Sequence, residues 1–444
     1  MSLHPAALVV AIVVAIALLT LPRSRLVAPF FLVAVFLPLN QGFDVVGLDV
    51  TLARFLIFTA WLRFVVRGEV VLDRWRPMDT AVCLWCGIGG VAYVLLWGLP
   101  AIVTSLGQIV NYAGTYFMVR LCVTRLADVI SVKKAMVLAA VVLALFLIVE
   151  SSTGRNAFAI FGGVPEITEI RDGHLRCQGP FGHPISAGLF GASLVPIFFG
   201  PILARRQRGL HALALAAGVV VVVLAASSSP ILALAGAVAA WSCWPLRRSM
   251  RTVSWSIVGV LATLHVVMKA PVWALIARAS LFDSSSSWHR LNLLDQFIWR
   301  FGEWWLVGTQ STDHWGFYAG DVANNYVRIG VSGGVFTLLA FFLVLRRGFT
   351  SIGGAMRASK SLEEQALLWG LGGALMAHVV GSFGLSYWDQ TTVLFALLLG
   401  LISAASSAIA SGRSQAAPAK SVETSENGFA ASRWQIRDER NDAR

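Results

Sequence analysis

The chain has 444 residues, of which 57% are hydrophobic and only 13% are charged. This composition excludes an ordinary soluble globular protein and predicts an all-α, polytopic membrane protein. The formal net charge of +12 could indicate a nucleic-acid-binding protein. The positions of the basic residues argue against nucleic acid as a partner, because they follow the loops of a membrane protein.

Apolar runs long enough to cross a hydrocarbon layer of about 30 Å recur along the chain and predict about 12 to 13 transmembrane helices. The first run lacks a basic leader and is followed by two arginines, Arg23 and Arg25, so no cleavable signal peptide is expected. The predicted spans are residues 5–21, 26–39, 48–66, 79–98, 105–122, 133–150, 184–204, 209–226, 229–246, 252–268, 326–345, 366–383 and 391–410.

Basic residues cluster in alternate loops, which the positive-inside rule places in the cytoplasm. The N-terminus is then external and the C-terminus cytoplasmic. Residues 1–411 form the integral membrane domain, 151–183 and 269–325 its large external loops, and 412–444 a disordered cytoplasmic tail. The predicted cytoplasmic loops are residues 23–25, 63–76, 120–134, 205–208, 247–251 and 346–360.

The stretch from Arg278 to Gly334 is the longest segment that is not continuously apolar. The serines at 284–287 can cap a helix, and apolar residues follow at helical spacing, which predicts an amphipathic helix in the large external loop. Arg290 projects from its apolar face, where an unpartnered guanidinium is costly to desolvate, so an anion is expected nearby. The predicted apolar face comprises Leu293, Leu294, Phe297, Ile298, Phe301, Trp304 and Trp305.

The other external loop ends in a glycine- and proline-rich turn, from Gly179 to Pro184, directly before the seventh span. Pro184 suits the first position of a helix, and the N-terminus of that helix is a potential anion site. Arg171 and Arg176 lie just upstream and could complete the site. His183 is a candidate cap or base.

Polar residues also lead into the eleventh span. Asn324 and Arg328 are four residues apart on one helix face and can address one ligand. Asp321 precedes them. The glycines that follow, at 330, 333 and 334, thin the helix and allow the close approach of a neighbouring helix or of a lipid-linked substrate.

One further charged residue, Arg54, lies inside the third predicted span near its external end. A charge is costly at that depth in a membrane. Arg54 either snorkels outward or lines the external cavity.

These stretches resemble the O-antigen polymerase and ligase superfamily of bacterial membranes, with its Wzy-type polymerases and WaaL-type ligases. The resemblance spans most of the chain. It is carried by the Arg176-x-x-Gly-Pro-Phe-Gly-His183-Pro segment, by the helix around Arg290, and by Asn325-Tyr326 followed by glycines. Ligase-type members usually have a histidine directly before that asparagine, where this chain has Asn324.

The resemblance implies a GT-C-like fold and a metal-independent glycosyltransferase that uses a lipid-diphosphate sugar donor, with Arg176 and Arg290 holding the diphosphate. No cofactor is expected. The implied partners are undecaprenyl-diphosphate-linked oligosaccharide, membrane lipids, and flippase and chain-length regulator proteins, at the periplasmic face of the inner membrane. The predicted catalytic residues are Arg290, Arg176, Asn324, Asp321 and His183, and the predicted substrate-binding residues are Arg171, Arg328, Asn325, Tyr326, His314 and Arg54.

The chemistry fits the residues, because a polyprenyl diphosphate sugar is already activated and its leaving group is an anion that arginines stabilise. Asp321, His183 or His314 could supply base assistance. Polymerisation of repeat units is favoured. The alternatives are an O-antigen ligase that transfers glycan to lipid A core, and a transporter of polysaccharide or lipid-linked glycan, although no carboxylate lies in the middle of a span.

Overall fold

Helices account for nearly all the regular structure of the chain. A computed structural model describes residues 3–38, 41–45, 48–72, 74–205, 207–275, 284–316 and 319–412. It is 76% helical with almost no sheet, which confirms the all-α class. Six described helices are long and apolar enough to cross a membrane, so the chain is a multi-pass membrane protein. The predicted tail lies, from residue 413 onward, outside the described residues.

The elements follow one another as a long series of helices with two small hairpins. The helices are α1 (Pro5–Thr20), α2 (Val27–Phe36), α3 (Leu52–Val66), α4 (Pro77–Trp97), α5 (Ile102–Ile109), α6 (Thr115–Cys122), α7 (Leu126–Thr153), α8 (Pro184–Leu203), α9 (Arg208–Leu224), α10 (Ser228–Ser242), α11 (Met250–Val267), α12 (Ser284–Trp299), α13 (Phe301–Trp304), α14 (Asn325–Ala358), α15 (Leu362–Gly381) and α16 (Asp389–Ala410). The strands are β1 (Gly42–Val45), β2 (Leu48–Thr51), β3 (Ile170–Arg171) and β4 (His174–Leu175).

Each predicted span contains a helix, although several boundaries differ. A π-helical turn at Val110–Gly114 joins α5 to α6 within one predicted span. The ten residues of α2 rise only about 15 Å, half of a hydrocarbon layer, so α2 cannot cross a membrane alone. The third span begins later than predicted, because residues 48–51 pair with β1 in an antiparallel hairpin.

The long helix α14 is interrupted at Gly334, whose φ of +75° lies in the left-handed region. The backbone of the preceding loop forms hydrogen bonds with α14 at this interruption. The amide of Val335 donates to the carbonyl of Trp305 at 2.8 Å, and the amide of Thr309 donates to the carbonyl of Val331 at 2.8 Å. A Cβ on Gly334 would stand 2.2 Å from the carbonyl oxygen of Leu306, so only glycine fits.

The predicted amphipathic helix is present but shorter than expected. It ends at Trp299, and α13 follows after a break at Arg300. The buried part of its apolar face is Leu293, Phe297 and Trp304, whereas Ile298, Phe301 and Trp305 are exposed, contrary to the prediction. Phe297 and Trp304 stack with ring centroids 3.9 Å apart. The capping role predicted for the side chains at 284–287 lies outside the described residues.

The glycines of α14 provide the surface against which α12 and α13 pack. A Cβ on Gly330 would stand 2.6 Å from the ring of Phe297 and 3.1 Å from the ring of Trp304. Of the two uses predicted for these glycines, the close approach of a neighbouring helix is therefore the one observed. The packing fixes α12, and with it Arg290, on the helix bundle.

Arginines of the predicted cytoplasmic loops gather at one end of the bundle, here called the basic end. Arg63 donates to the carbonyls of Leu18 and Leu21 at 2.7 and 2.5 Å, at the last turn of α1. Arg76 donates to the carbonyl of Ser403 in α16 at 2.7 Å, and Arg23 donates to the carbonyl of Leu121 at the end of α6. Helices α1, α3, α6 and α16 and the predicted loops 23–25 and 63–76 thus meet there.

The basic end also contains a buried ion pair. The carboxylate of Asp79, fully buried in the first turn of α4, accepts from Arg120 Nε at 3.1 Å and from the hydroxyl of Tyr116 at 2.5 Å. A buried carboxylate requires such partners, because charge without them is strongly disfavoured in a low-dielectric interior. The pair locks α4 to α6.

Candidate functional site

The opposite end of the bundle, here called the loop end, contains the starts of α8, α10, α14 and α16. Direct contacts join them. The amide of Asn325, first residue of α14, donates to the carbonyl of Ser382 at 2.7 Å, and Asn325 Oδ1 accepts from the amide of Tyr387 at 3.0 Å. Gln390 Nε2, in the first turn of α16, donates to the carbonyl of Pro180 at 2.5 Å, next to α8. α16 has 22 residues, so about 33 Å separate the loop end from the basic end.

The turn before α8 is built around Glu150, a buried carboxylate near the end of α7. Glu150 accepts from the amides of Gln178 and Gly179 at 3.1 and 2.9 Å and from the hydroxyl of Thr168 at 3.1 Å. Gly179 has a φ of +57° and packs on α7, where a Cβ would stand 3.1 Å from Leu147. The predicted tight turn is present, and the buried side chain of Glu150 holds its shape.

His183 caps α8, as the sequence allowed. Its Nδ1 accepts from the amide of Ile185 at 3.1 Å, and Pro184 occupies the first helical position. Burial, and then the positive charge of Arg176, lower the pKa of His183 to about 4. The ring is therefore neutral at pH 7, with its proton on Nε2. His183 can donate a hydrogen bond to a ligand and is a poor general base.

The arginines of the first loop lie close to His183. Arg176 is buried, and its Nη1 donates to both carboxylate oxygens of Glu169 at 3.1 Å. Arg171 belongs to an exposed hairpin turned by Asp172 and Gly173, both with positive φ. Arg176, Glu169, Arg171 and Asp321 all act electrostatically on His183. The structure thus brings four of the predicted site residues together: His183, Arg176, Arg171 and Asp321.

Arg290 reaches the same end from α12. Its guanidinium carbon lies 3.5 Å from the position that a Cβ on Gly384 would take. The hydroxyl of Ser229, in the first turn of α10, donates to the carbonyl of Gly384 at 3.4 Å. The neighbouring His289 contacts the carbonyl of Asp321 through Nε2 at 3.0 Å. Asp321 therefore connects the Arg290 helix with the surroundings of His183.

Three buried polar atoms belong to residues at the starts of α14 and α16. Asn325 Nδ2, Gln390 Oε1 and Thr391 Oγ1 have no hydrogen-bond partner among the described residues. Each belongs to a residue at most 4% exposed. Buried polar groups of native proteins are nearly always hydrogen-bonded, so these three atoms mark a place where a polar molecule would be stabilised.

Asn324 and its neighbours have mainly structural contacts. Asn324 Oδ1 caps α14 by accepting from the amides of Tyr326 and Val327 at 3.0 and 3.2 Å. The hydroxyl of Tyr326 donates to the carbonyl of Val379 at 2.8 Å. Arg328 is exposed whereas Asn324 is buried. The oxygen of Asn324 is therefore committed to the helix, and the expectation that Asn324 and Arg328 address one ligand gains nothing from this arrangement.

His314 and Arg54 make contacts with residues outside this group. His314 Nε2 and Trp315 Nε1 both contact Glu303 Oε2 at 2.8 Å. The bonds from Trp315 and then His314 lower the pKa of Glu303 to about 2. The guanidinium of Arg54 packs on Gly107 of α5, 2.5 Å from where a Cβ would be.

Sequence reasoning missed several residues of the loop end. Ser229, Gln390 and the segment Ser382–Tyr387 contribute contacts but were assigned to spans or to short connections. A polar signal was available, because Gln390 and Thr391 begin an otherwise apolar helix. The Asp172-Gly173 pair is a common signature of a tight hairpin and predicts the turn that presents Arg171.

Comparisons with known proteins leave the chain unassigned. No family model and no curated protein matches it. In the part of the chain that the structure describes, no group of three or more His, Cys, Asp or Glu side chains could hold a metal ion.

Proposed function

We propose that the protein is a membrane glycosyltransferase that polymerises polyprenyl-diphosphate-linked oligosaccharide repeat units into a surface polysaccharide. In this proposal about 12 to 13 spans form a GT-C-like domain in the bacterial inner membrane, and the loop end faces the periplasm. Undecaprenyl-diphosphate-linked oligosaccharide is both donor and acceptor. Flippase and chain-length regulator proteins act before and alongside it.

One observation carries the proposal: Arg290 and Arg176 lie at the end of the bundle where four helices begin. A helix N-terminus carries about half a positive charge, and its free amides bind anions. The four helix ends and the guanidinium of Arg290 add to a positive field there, while the charge of Arg176 is partly offset by its pairing with Glu169. Such a field favours a diphosphate leaving group over a neutral ligand.

The chemistry then needs little from the protein besides position and charge. The acceptor hydroxyl oxygen forms a bond to the anomeric carbon of the donor while the bond from that carbon to the diphosphate oxygen breaks. The lipid diphosphate leaves as an anion held by Arg290 and Arg176, with His183 Nε2–H as a further donor. Asp321 is the carboxylate near His183 that can take the proton from the acceptor hydroxyl.

Asn324 supports polymerisation over ligation. A ligase that used a histidine at this position would have a group able to take or orient the acceptor proton. An amide does not take up that proton at neutral pH, and the oxygen of Asn324 is occupied as a helix cap.

The direct test supplies purified protein in detergent micelles with the lipid-linked oligosaccharide and follows chain length by gel. A polymerase lengthens the glycan in micelles. A transporter cannot do so, because a micelle has no second compartment, and an unchanged glycan in an assay with correctly folded protein would contradict the proposal.

A gene deletion separates the two transferases. Loss of the polymerase leaves single repeat units on the carrier or the cell surface, with long chains absent. If long chains instead accumulate on polyprenyl diphosphate, chain growth is intact and the protein is the ligase.

A further inference from the structure

The basic end contains a cleft of about 600 Å³ between three helices. The N-terminal turn of α4 forms one wall, the far half of α14 the second, and the last turns of α16 the third. Three arginines line it: Arg74, Arg76 and Arg347. Hydroxyl groups line the side formed by α14 and α16, among them those of Ser351 and Ser406.

Two buried atoms of the cleft wall have unused hydrogen-bonding capacity. Arg347 Nε and Ser406 Oγ are both shielded from solvent, and neither has a hydrogen-bond partner within the described ranges. Ser406 as a residue is only 4% exposed. A donor of this kind is costly to leave unsatisfied, and an anionic oxygen in the cleft would accept from it.

The charged side chains among the described residues that line the cleft are all positive. None of the described residues that line it is acidic. Asp79, the carboxylate in the first turn of α4, is fully buried. It already accepts hydrogen bonds from Arg120 and from the amide of Arg76. The guanidinium groups therefore act together on whatever enters, and the start of α4 adds its positive end.

We propose that this cleft binds a phosphate group, held by Arg74, Arg76, Arg347 and the hydroxyl of Ser406. The site lies about one membrane thickness from Arg290 and does not depend on the proposed glycosyl transfer. Its phosphate is either the headgroup of an anionic lipid or a soluble phosphate. Trp75, 55% exposed beside the cleft, is a residue type that favours the membrane–water boundary.

The experiment measures the thermal unfolding midpoint of the full chain in micelles. Three probes are added separately: phosphatidylglycerol, phosphatidylcholine and inorganic phosphate. Phosphatidylglycerol is expected to raise the midpoint by about 2 °C or more, since a ligand that binds only the folded state stabilises it. An equal rise with inorganic phosphate would support the site and identify a soluble ligand.

Two variants test the cleft itself. Arg347→Gln removes a guanidinium, and Gly354→Leu fills the cleft from α14, where a Cβ would meet no atom within 4 Å. Both should abolish the rise. The matched control is Arg346→Gln, which removes the adjacent, exposed arginine that does not line the cleft.

Three outcomes would contradict the proposed phosphate site. Equal rises with phosphatidylglycerol and phosphatidylcholine, and none with inorganic phosphate, would overturn the proposal. So would a rise that survives in Arg347→Gln and Gly354→Leu, or no rise with any probe.

Discussion

At the basic end, Arg63 and Arg23 donate to carbonyls in the last turns of α1 and α6, where the helix dipole is negative. At the loop end, Arg290 and Arg176 lie near the starts of helices, where the dipole is positive. Carbonyl groups offset the charge of Arg63 at the basic end, whereas helix starts add to the charge of Arg290 at the loop end. The charge of Arg176 is partly offset by its pairing with Glu169. Position relative to the helix ends therefore separates arginines that hold the fold together from Arg290 and from the cleft arginines beside the start of α4, which are placed to bind an anion.

The largest effect is expected for Arg290→Lys. Lysine keeps the charge but loses the planar pair of donors that matches a diphosphate, so glycan lengthening should fall about 100-fold while the protein still inserts. The control is Arg300→Lys in the same loop, whose guanidinium contacts Gln296 and Glu303 near the surface. Wild-type turnover by Arg290→Lys would remove Arg290 from the reaction.

Gly334→Ala tests whether the loop end depends on the contact between residues 305–309 and α14. The new methyl would meet the carbonyl of Leu306 at a positive φ, and the variant should lose at least about 2 kcal/mol of stability together with activity. Thermal unfolding and lengthening assays measure both. Gly353→Ala in the same helix meets only Arg357 Nη1, at 3.7 Å, and should be neutral or stabilising. Equal stability of the two variants would refute the docking role.

His183→Asn tests the electrostatics of the loop end through pH. The folded pKa is about 4 and the ordinary value 6.5, so the unfolded chain binds a proton first as pH falls. The stability from neutral His183 is full above about pH 6.5 and is lost as pH falls through 4. Asparagine also caps helices but does not titrate, so its unfolding midpoint should fall less between pH 7 and pH 5.

The control for this experiment is His174→Asn, which changes an exposed histidine of the β3–β4 hairpin. It should leave the pH dependence of the wild type unchanged. Identical slopes for wild type and His183→Asn would mean that the surroundings of His183 do not suppress its charge.

The smallest expected effect is that of a chelator. If the arginines alone stabilise the diphosphate, EDTA should leave the rate of lengthening unchanged. Loss of activity in EDTA, with recovery on adding magnesium or manganese, would give the metal the role assigned here to Arg290 and Arg176.

The positions of the helices could be read from the chain because apolar runs and their punctuation are local signals. Pro184 at the first position of α8 and the cap at His183 were predictable for the same reason. The end of α12 at Trp299 was not, since the helical pattern of apolar residues continues to Trp305. Phe297 and Trp304, on either side of the break, both pack on Gly330 of α14, and periodicity does not reveal this contact.

The site was predictable in its residue types more than in their roles. Arg176, Arg290 and His183 stood out as polar groups in external loops. That His183 donates and does not accept depends on the amide of Ile185, and that Asn324 serves as a cap depends on where α14 begins. Partners such as Glu150, Glu169 and Ser229 come from distant parts of the sequence and required the tertiary structure.

The interruption of α14 has a consequence for the order in which the protein assembles. The break at Gly334 leaves the carbonyl of Val331 and the amide of Val335 without partners inside α14. Each would cost several kcal/mol in lipid if it stayed unpaired. Their partners, at Trp305 and Thr309, precede α14 in the chain. They have already been synthesised when α14 emerges from the ribosome, so the hydrogen bonds at the interruption can form before α15 and α16 are made.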